Sequence, residues 1–120
     1  MEIAMDNVAV MKKYYEMLAK KDVGNLGKYL HADVEFRAPL AKYQGKEAVL
    51  EATKGFASFF NTLSIRTCFG SGDQAVLLYD LDFSEPVGKV PTAAVMTFKE
   101  GLVAKIELFY DARPFERINT

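Results

Sequence analysis

Between residues 3 and 20 the apolar positions Val8, Met11, Tyr15 and Leu18 recur at spacings of three and four, which predicts a helix with one buried face. Tyr14 falls at the edge of that face, one turn before Leu18. Asp22 is placed to cap a second, short helix running to Leu30. Gly24 and Gly27 weaken that helix by roughly 1 kcal/mol each relative to Ala, so only packing can hold it. Residues 33 to 37 alternate polar and apolar and read as a strand, which Pro39 and a polar loop interrupt. Gly45-Lys46-Glu47 then opens a third helix, whose apolar face carries Val49, Ala52, Phe56, Phe59 and Phe60.

After Asn61 the period becomes that of a strand. Residues 63–69, 74–83, 90–99 and 102–111 form four strand candidates. Gly70-Ser71-Gly72-Asp73 signals a turn between the first two, and Glu100-Gly101 a tight hairpin between the last two. Ser84 to Lys89, with a Pro and a Gly, makes a longer connection. Helices followed by a meander predict an α+β domain: an antiparallel sheet with helices on one face.

Two strands are apolar on both faces, at Ala75-Val76-Leu77-Leu78-Tyr79 and at Ala93-Ala94-Val95-Met96. A one-sided sheet alternates more cleanly. Either the sheet curls strongly around the helices, or something covers its outer face. A second copy of the chain is the simplest cover, which gives the expectation of a homodimer through the outer sheet face.

Totals narrow the function classes. The 120 residues suffice for one domain with a real core. A net charge of −1 and no Lys/Arg-rich block argue against nucleic-acid and anionic-membrane partners. No apolar run approaches the roughly 20 residues that span a bilayer. The N-terminal residues lack the charged start and apolar stretch of a secretory signal. Cys68 and His31 are each the only residue of their type, which excludes an intrachain disulfide and the common zinc arrangements. The expectation is a cytoplasmic protein with no cofactor and no metal.

Several segments, taken in order, carry a resemblance. Tyr14-Tyr15-Glu16-Met17-Leu18 precedes Lys21-Asp22-Val23, and His31-Ala32-Asp33-Val34-Glu35-Phe36 leads to Ala38-Pro39. Tyr43-Gln44-Gly45-Lys46-Glu47-Ala48-Val49 opens a helix, and Phe109-Tyr110-Asp111 closes a strand. Their order and spacing resemble the SnoaL-like and ketosteroid-isomerase-like branch of the nuclear transport factor 2-like superfamily. The likeness covers nearly all of residues 1–120, as a single domain. It implies a cone-shaped, curved antiparallel sheet wrapped around the N-terminal helices, with an apolar pocket open at one end. Members include isomerases, polyketide cyclases, epoxide hydrolases, dehydratases and binding proteins, so the fold does not decide the function.

The resemblance also implies where acids would stand, and this chain departs from it there. The strand end before Pro carries the general-base Asp of the ketosteroid isomerases; here it is Ala38. Their second pocket acid falls at Ala94, and the last-strand acid of the epoxide hydrolases falls near Leu108. Tyr14 matches the tyrosine of the oxyanion hole, while the two tyrosines that support it correspond to Leu30 and Thr53, leaving the supporting network missing. A positioned base contributes roughly 10²- to 10⁴-fold and an oxyanion donor about 10²- to 10³-fold, so alanines at 38 and 94 argue against that isomerase chemistry.

What remains is an apolar pocket with a few polar groups. Phe36 and Ala38 would line it from the first strand, and Phe56 and Phe60 from the third helix. Tyr79, Ala94, Met96, Ile106 and Leu108 would line it from the later strands, and Val34 from the first strand. Tyr14 and Tyr110 would orient a small, mostly apolar ligand of terpenoid, polyketide or aromatic type. Two other readings stay open: an acid–base enzyme using Tyr14 and Asp111, with Asp80 in reserve, and a dimerising domain without ligand. Asp80 and Asp82 share a strand face that should be the outer one, although a register slip of one residue would reverse this. Glu35 and Arg37 should face outward, Asp111 has Arg113 as an alternative partner, and Cys68 reads as a small hydrophobe.

Overall fold

The computed structural model describes residues 6–116. Helix α1 spans Asn7–Ala19, and the Asp6 carboxylate caps it by accepting the Ala9 N–H at 2.7 Å. Its buried stripe is wider than the spacing suggested, because Val10, Tyr14 and Met17 join Met11, Tyr15 and Leu18. The helix ends with Lys21 at φ 64°, where the Asp22 N–H bonds to Met17 and the Lys21 N–H to Leu18. These two bonds form the reverse turn that closes many helices.

That ending corrects the second helix. The Asp22 amide completes α1, and the only helical piece between α1 and the first strand is a 3₁₀ turn at Leu26–Tyr29, whose N-cap is Asn25. The two glycines leave too little propensity for more. Strand β1 covers Leu30–Ala38 and a short β2 covers Ala41–Gln44. The loop expected after Pro39 is therefore a hairpin, because Pro39-Leu40 makes only the turn. Helix α2 runs Lys46–Ala57, opening where Gly45-Lys46-Glu47 predicts but ending before Phe59 and Phe60, which the expected apolar face included; Gly45 precedes it at φ 93°.

The meander follows: β3 Thr62–Ser71, β4 Gln74–Asp82, β5 Lys89–Lys99 and β6 Leu102–Tyr110. Gly72 and the Glu100-Gly101 pair take positive φ, as tight hairpins require. A one-turn helix, α3, at Arg113–Glu116 ends the described chain. The six strands form one curved sheet in the order β2-β1-β6-β5-β4-β3. All neighbours are antiparallel except β1 and β6, which the returning meander brings together in parallel.

α1 packs on β3 and β4, while α2 packs on β1 and β2, so both helices lie on the inner face. In β4 the residues Ala75, Leu77, Tyr79 and Leu81 are buried and alternate with Val76, Leu78 and Asp80, which settles the register that the sequence left open. In β5 the inward set is Val90, Thr92, Ala94, Met96 and Phe98. No helix among the described residues is long and apolar enough to cross a membrane.

Candidate functional site

The sheet curls away from the helices at one end and leaves a cavity of about 250 Å³. From α1 it is lined by Tyr14, Tyr15 and Leu18, and from α2 by Ala52, Thr53 and Phe56. β1 contributes Phe36 and Ala38, β4 Tyr79 and Leu81, and β5 Val90 and Thr92. β6 adds Ile106, Leu108 and Tyr110. Ala41 and Tyr43 of β2, Phe59 after α2 and Phe115 of α3 complete the wall. Phe115 packs edge-on against Phe83 and Tyr110, so the last described turn is fastened by aromatic contacts.

The structure brings together eight of the residues expected there: Tyr14, Phe36, Ala38, Phe56, Tyr79, Ile106, Leu108 and Tyr110. Three others lie elsewhere. Ala94 and Met96 point inward but are fully enclosed in the core and do not line the cavity. Phe60 stacks on Phe56 beneath the Lys21 ammonium and is likewise core. Val34 is also part of the packed interior.

Polar groups in the wall are hydroxyls. Thr53 Oγ1 donates to the Val49 carbonyl at 2.7 Å. The Tyr15 and Tyr79 rings lie 5.1 Å apart, tilted against each other. Burial pushes Tyr14 up to about 12, a rise that Thr53 opposes because its hydroxyl can turn toward a phenolate. Burial likewise raises Tyr15 and Tyr79 well above the ordinary phenol range. Thr92 Oγ1 donates to the Val90 carbonyl at 3.2 Å.

Among the described residues no carboxylate, amine, guanidinium or imidazole lines the cavity. Asp111 stands beyond the end of β6, where both its oxygens accept from the Arg113 guanidinium at 2.7 to 3.0 Å. Its side chain is half exposed. Asp80 faces outward between Arg66 and Lys89, at 3.9 and 3.6 Å, and Asp82 is exposed. Glu35 faces outward too, paired with Arg37 at 2.9 Å. The Cys68 thiol, half-buried against the Val8 carbonyl, is raised by burial and lies outside the cavity. No group of three or more potential metal ligands occurs among the described residues.

Sequence reasoning missed Tyr15, Thr53, Thr92 and Phe115 as wall residues. Tyr15 was legible only as a core position, since one helical stripe supplies both core and wall. Phe115 follows the last strand, where no periodicity points inward.

An inner wall from α1 and the curved sheet, with no acid at the strand end before Pro39, can be set beside known proteins. The SnoaL-like domain matches residues 11–106. The chain belongs to the SnoaL-like family. No curated protein matches this SnoaL-like chain. Solved structures do. A nuclear transport factor 2-like protein of unknown function from Cytophaga hutchinsonii is 16% identical, with a TM-score of 0.84 over 97% of this chain and 99% of its own. A steroid delta-isomerase from Pseudomonas aeruginosa is 18% identical, with a TM-score of 0.77 over 98% and 96%. A putative polyketide cyclase from Sinorhizobium meliloti is 19% identical, with a TM-score of 0.76 over 83% and 93%. At these identities the likeness is one of fold.

Proposed function

We propose that this SnoaL-like protein binds a small, mostly apolar molecule in its cavity and performs no isomerase-type acid–base chemistry there. One observation carries the reading: the wall is apolar apart from hydroxyls, and no described carboxylate reaches it. Both acid positions of the isomerase pattern are alanines, of which Ala38 is in the wall and Ala94 in the core. Phenols held neutral by burial cannot act as bases at ordinary pH. A cavity of about 250 Å³ lies just below the usual range for drug-sized ligands, which suits a small aromatic or terpenoid compound or a short polyketide fragment. The names of the Pseudomonas and Sinorhizobium neighbours, a steroid isomerase and a putative polyketide cyclase, support the same apolar class.

The test is ligand titration of the purified protein followed by NMR. Shifts at Thr53, Leu81 and Leu108 are expected with small aromatic and terpenoid compounds. Shifts confined to the outer surface would reject the reading. Asp111→Asn separates binding from the enzyme alternative: affinity should change by less than about twofold, since an exposed pair contributes little. A tenfold loss would place the acid in the site.

We also propose that two copies associate through the outer sheet face. Phe69 and Phe109 are more than half exposed there, at 54% and 55%. Val76, Leu78, Ala93 and Val95 lie between them, each half-buried in the single chain.

A further inference from the structure

One ring of the cavity wall is held differently from the rest. Phe115 stands on the one-turn helix α3, beyond the last strand, and lines the cavity from there. Its ring meets Phe83 edge-on, with centroids 5.1 Å apart and planes at 83°, and Tyr110 at 5.5 Å and 67°. Edge-on pairs at this spacing are among the favoured contacts between aromatic rings. Phe83 is almost wholly buried and packs also on Phe56 and Phe59. Both of those line the cavity, but Phe83 does not. The Phe115 ring, which touches Phe83 and lines the cavity, stands between the two. Arg113 bonds to the Asp111 carboxylate, and the Phe115 N–H to the Ala112 carbonyl. These bonds lie within the chain end rather than against the sheet, so a turn that moves as a piece keeps them.

We propose that Phe83 and Tyr110 form an aryl subsite at the end of the cavity, that Phe115 fills it with a ring of the chain's own, and that a ligand carrying a second aromatic ring takes the subsite by displacing α3. The proposal rests on the binding reading above and adds the ligand's second apolar group. A ligand ring would make the same two edge-on contacts that Phe115 makes, so the exchange is nearly even in ring contacts. Size favours it. The cavity of about 250 Å³ is smaller than the usual ligand site, and an apolar space of about 150 Å³ takes one benzene ring. Adding the place of Phe115 brings the volume to roughly 400 Å³, inside the usual range. The tethered ring thus sets a threshold. A one-ring ligand fits beside Phe115, whereas a two-ring ligand competes with it.

Two probes that share one half serve as the test: benzyl methyl ether, with one ring, and dibenzyl ether, with two. In the unaltered protein both should shift the NMR signals of Thr53 and Leu81. Only dibenzyl ether should also shift the amides of Arg113 and Glu116, which benzyl methyl ether leaves nearly in place. Phe115→Ala removes the tethered competitor and leaves the subsite open. Dibenzyl ether should then bind about tenfold tighter, the size of two edge-on ring pairs. Benzyl methyl ether should change by less than about threefold. Should the variant fail to fold, the shifts at Arg113 and Glu116 in the unaltered protein decide the matter alone.

The outcomes are distinct. If neither ether binds either protein, the binding reading fails and this proposal with it. If benzyl methyl ether binds and dibenzyl ether binds neither protein, the binding reading stands and the aryl subsite is overturned. Dibenzyl ether that binds Phe115→Ala alone makes Phe115 a fixed wall, which overturns the displacement. Dibenzyl ether that binds the unaltered protein with Arg113 and Glu116 unshifted overturns it as well, by placing the second ring elsewhere.

Discussion

Three phenols meet at the cavity wall, and each is more stable neutral than charged there. Tyr14 is raised to about 12 by burial, and Tyr15 and Tyr79 are raised for the same first reason. In the unfolded chain a tyrosine ionises near 10. Below about pH 10 both states keep their protons and the contribution to stability is complete. Above it the unfolded chain releases protons that the folded chain retains, so stability falls as pH rises. For Tyr14 alone the loss approaches about 3 kcal/mol by pH ~12, and the other two add in the same direction. The protein should therefore unfold cooperatively in alkali, with phenolate absorbance and loss of far-ultraviolet circular dichroism rising together. A smooth phenolate titration under an unchanged dichroism spectrum would mean that the tyrosines are hydrated. Little of this was legible beforehand. The sequence places Tyr14 and Tyr79 in the wall, but Tyr15 and Thr53 join them there only when helix and sheet meet.

At the scale of elements, one residue just past the end of α1 joins two helices. Lys21 takes a left-handed backbone at φ 64° to end α1. Its ammonium then donates to the Ala57 and Phe60 carbonyls at the end of α2 and sits 3.6 Å over the Phe60 ring. A cation at a helix C-terminus satisfies its last carbonyls and favours its dipole. Lys21→Met keeps the backbone cost and loses the charge and both bonds, so it should lower stability by about 1–3 kcal/mol, checked by urea unfolding. A change below about 0.5 kcal/mol would show that water replaces the ammonium freely. The strands β3 to β6 and helix α2 were readable because period and turn residues agree over long runs. The region from Asp22 to Leu30 was not: Asp22 has the chemistry of an N-cap, but its amide is already engaged in closing α1. The strand β2 is four residues behind a Pro, too short for any period to appear.

For the whole molecule, the fold divides the apolar residues of the sheet between two faces with different fates. The inner face is filled by α1 and α2 except at the cavity. Among the described residues nothing covers the outer face in this way, and its apolar centre runs from Phe69 through Val76 and Val95 and from Leu78 through Ala93 to Phe109. On one side of this patch Glu35, Arg37, Lys105 and Glu107 alternate in sign on adjacent strands. A two-fold axis would set such a row against itself with opposite charges facing, which suits an isologous dimer. A stable pairing needs roughly 800 Å² from each partner. Ala93 sits at the centre, between Leu78 and Phe109, and points away from the cavity. Ala93→Arg would bury an unpaired charge in each half, costing several kcal/mol and raising the dimer Kd by at least about 10²-fold. The unaltered protein should sediment as a dimer at micromolar concentration. Ala93→Arg should sediment as a monomer with the same dichroism and the same affinity for cavity ligands. If the unaltered protein is monomeric at tens of micromolar, the outer face is not an interface between copies. If Ala93→Arg also loses ligand, the two faces are coupled through β5, which carries Ala93 outward and Thr92 and Ala94 inward.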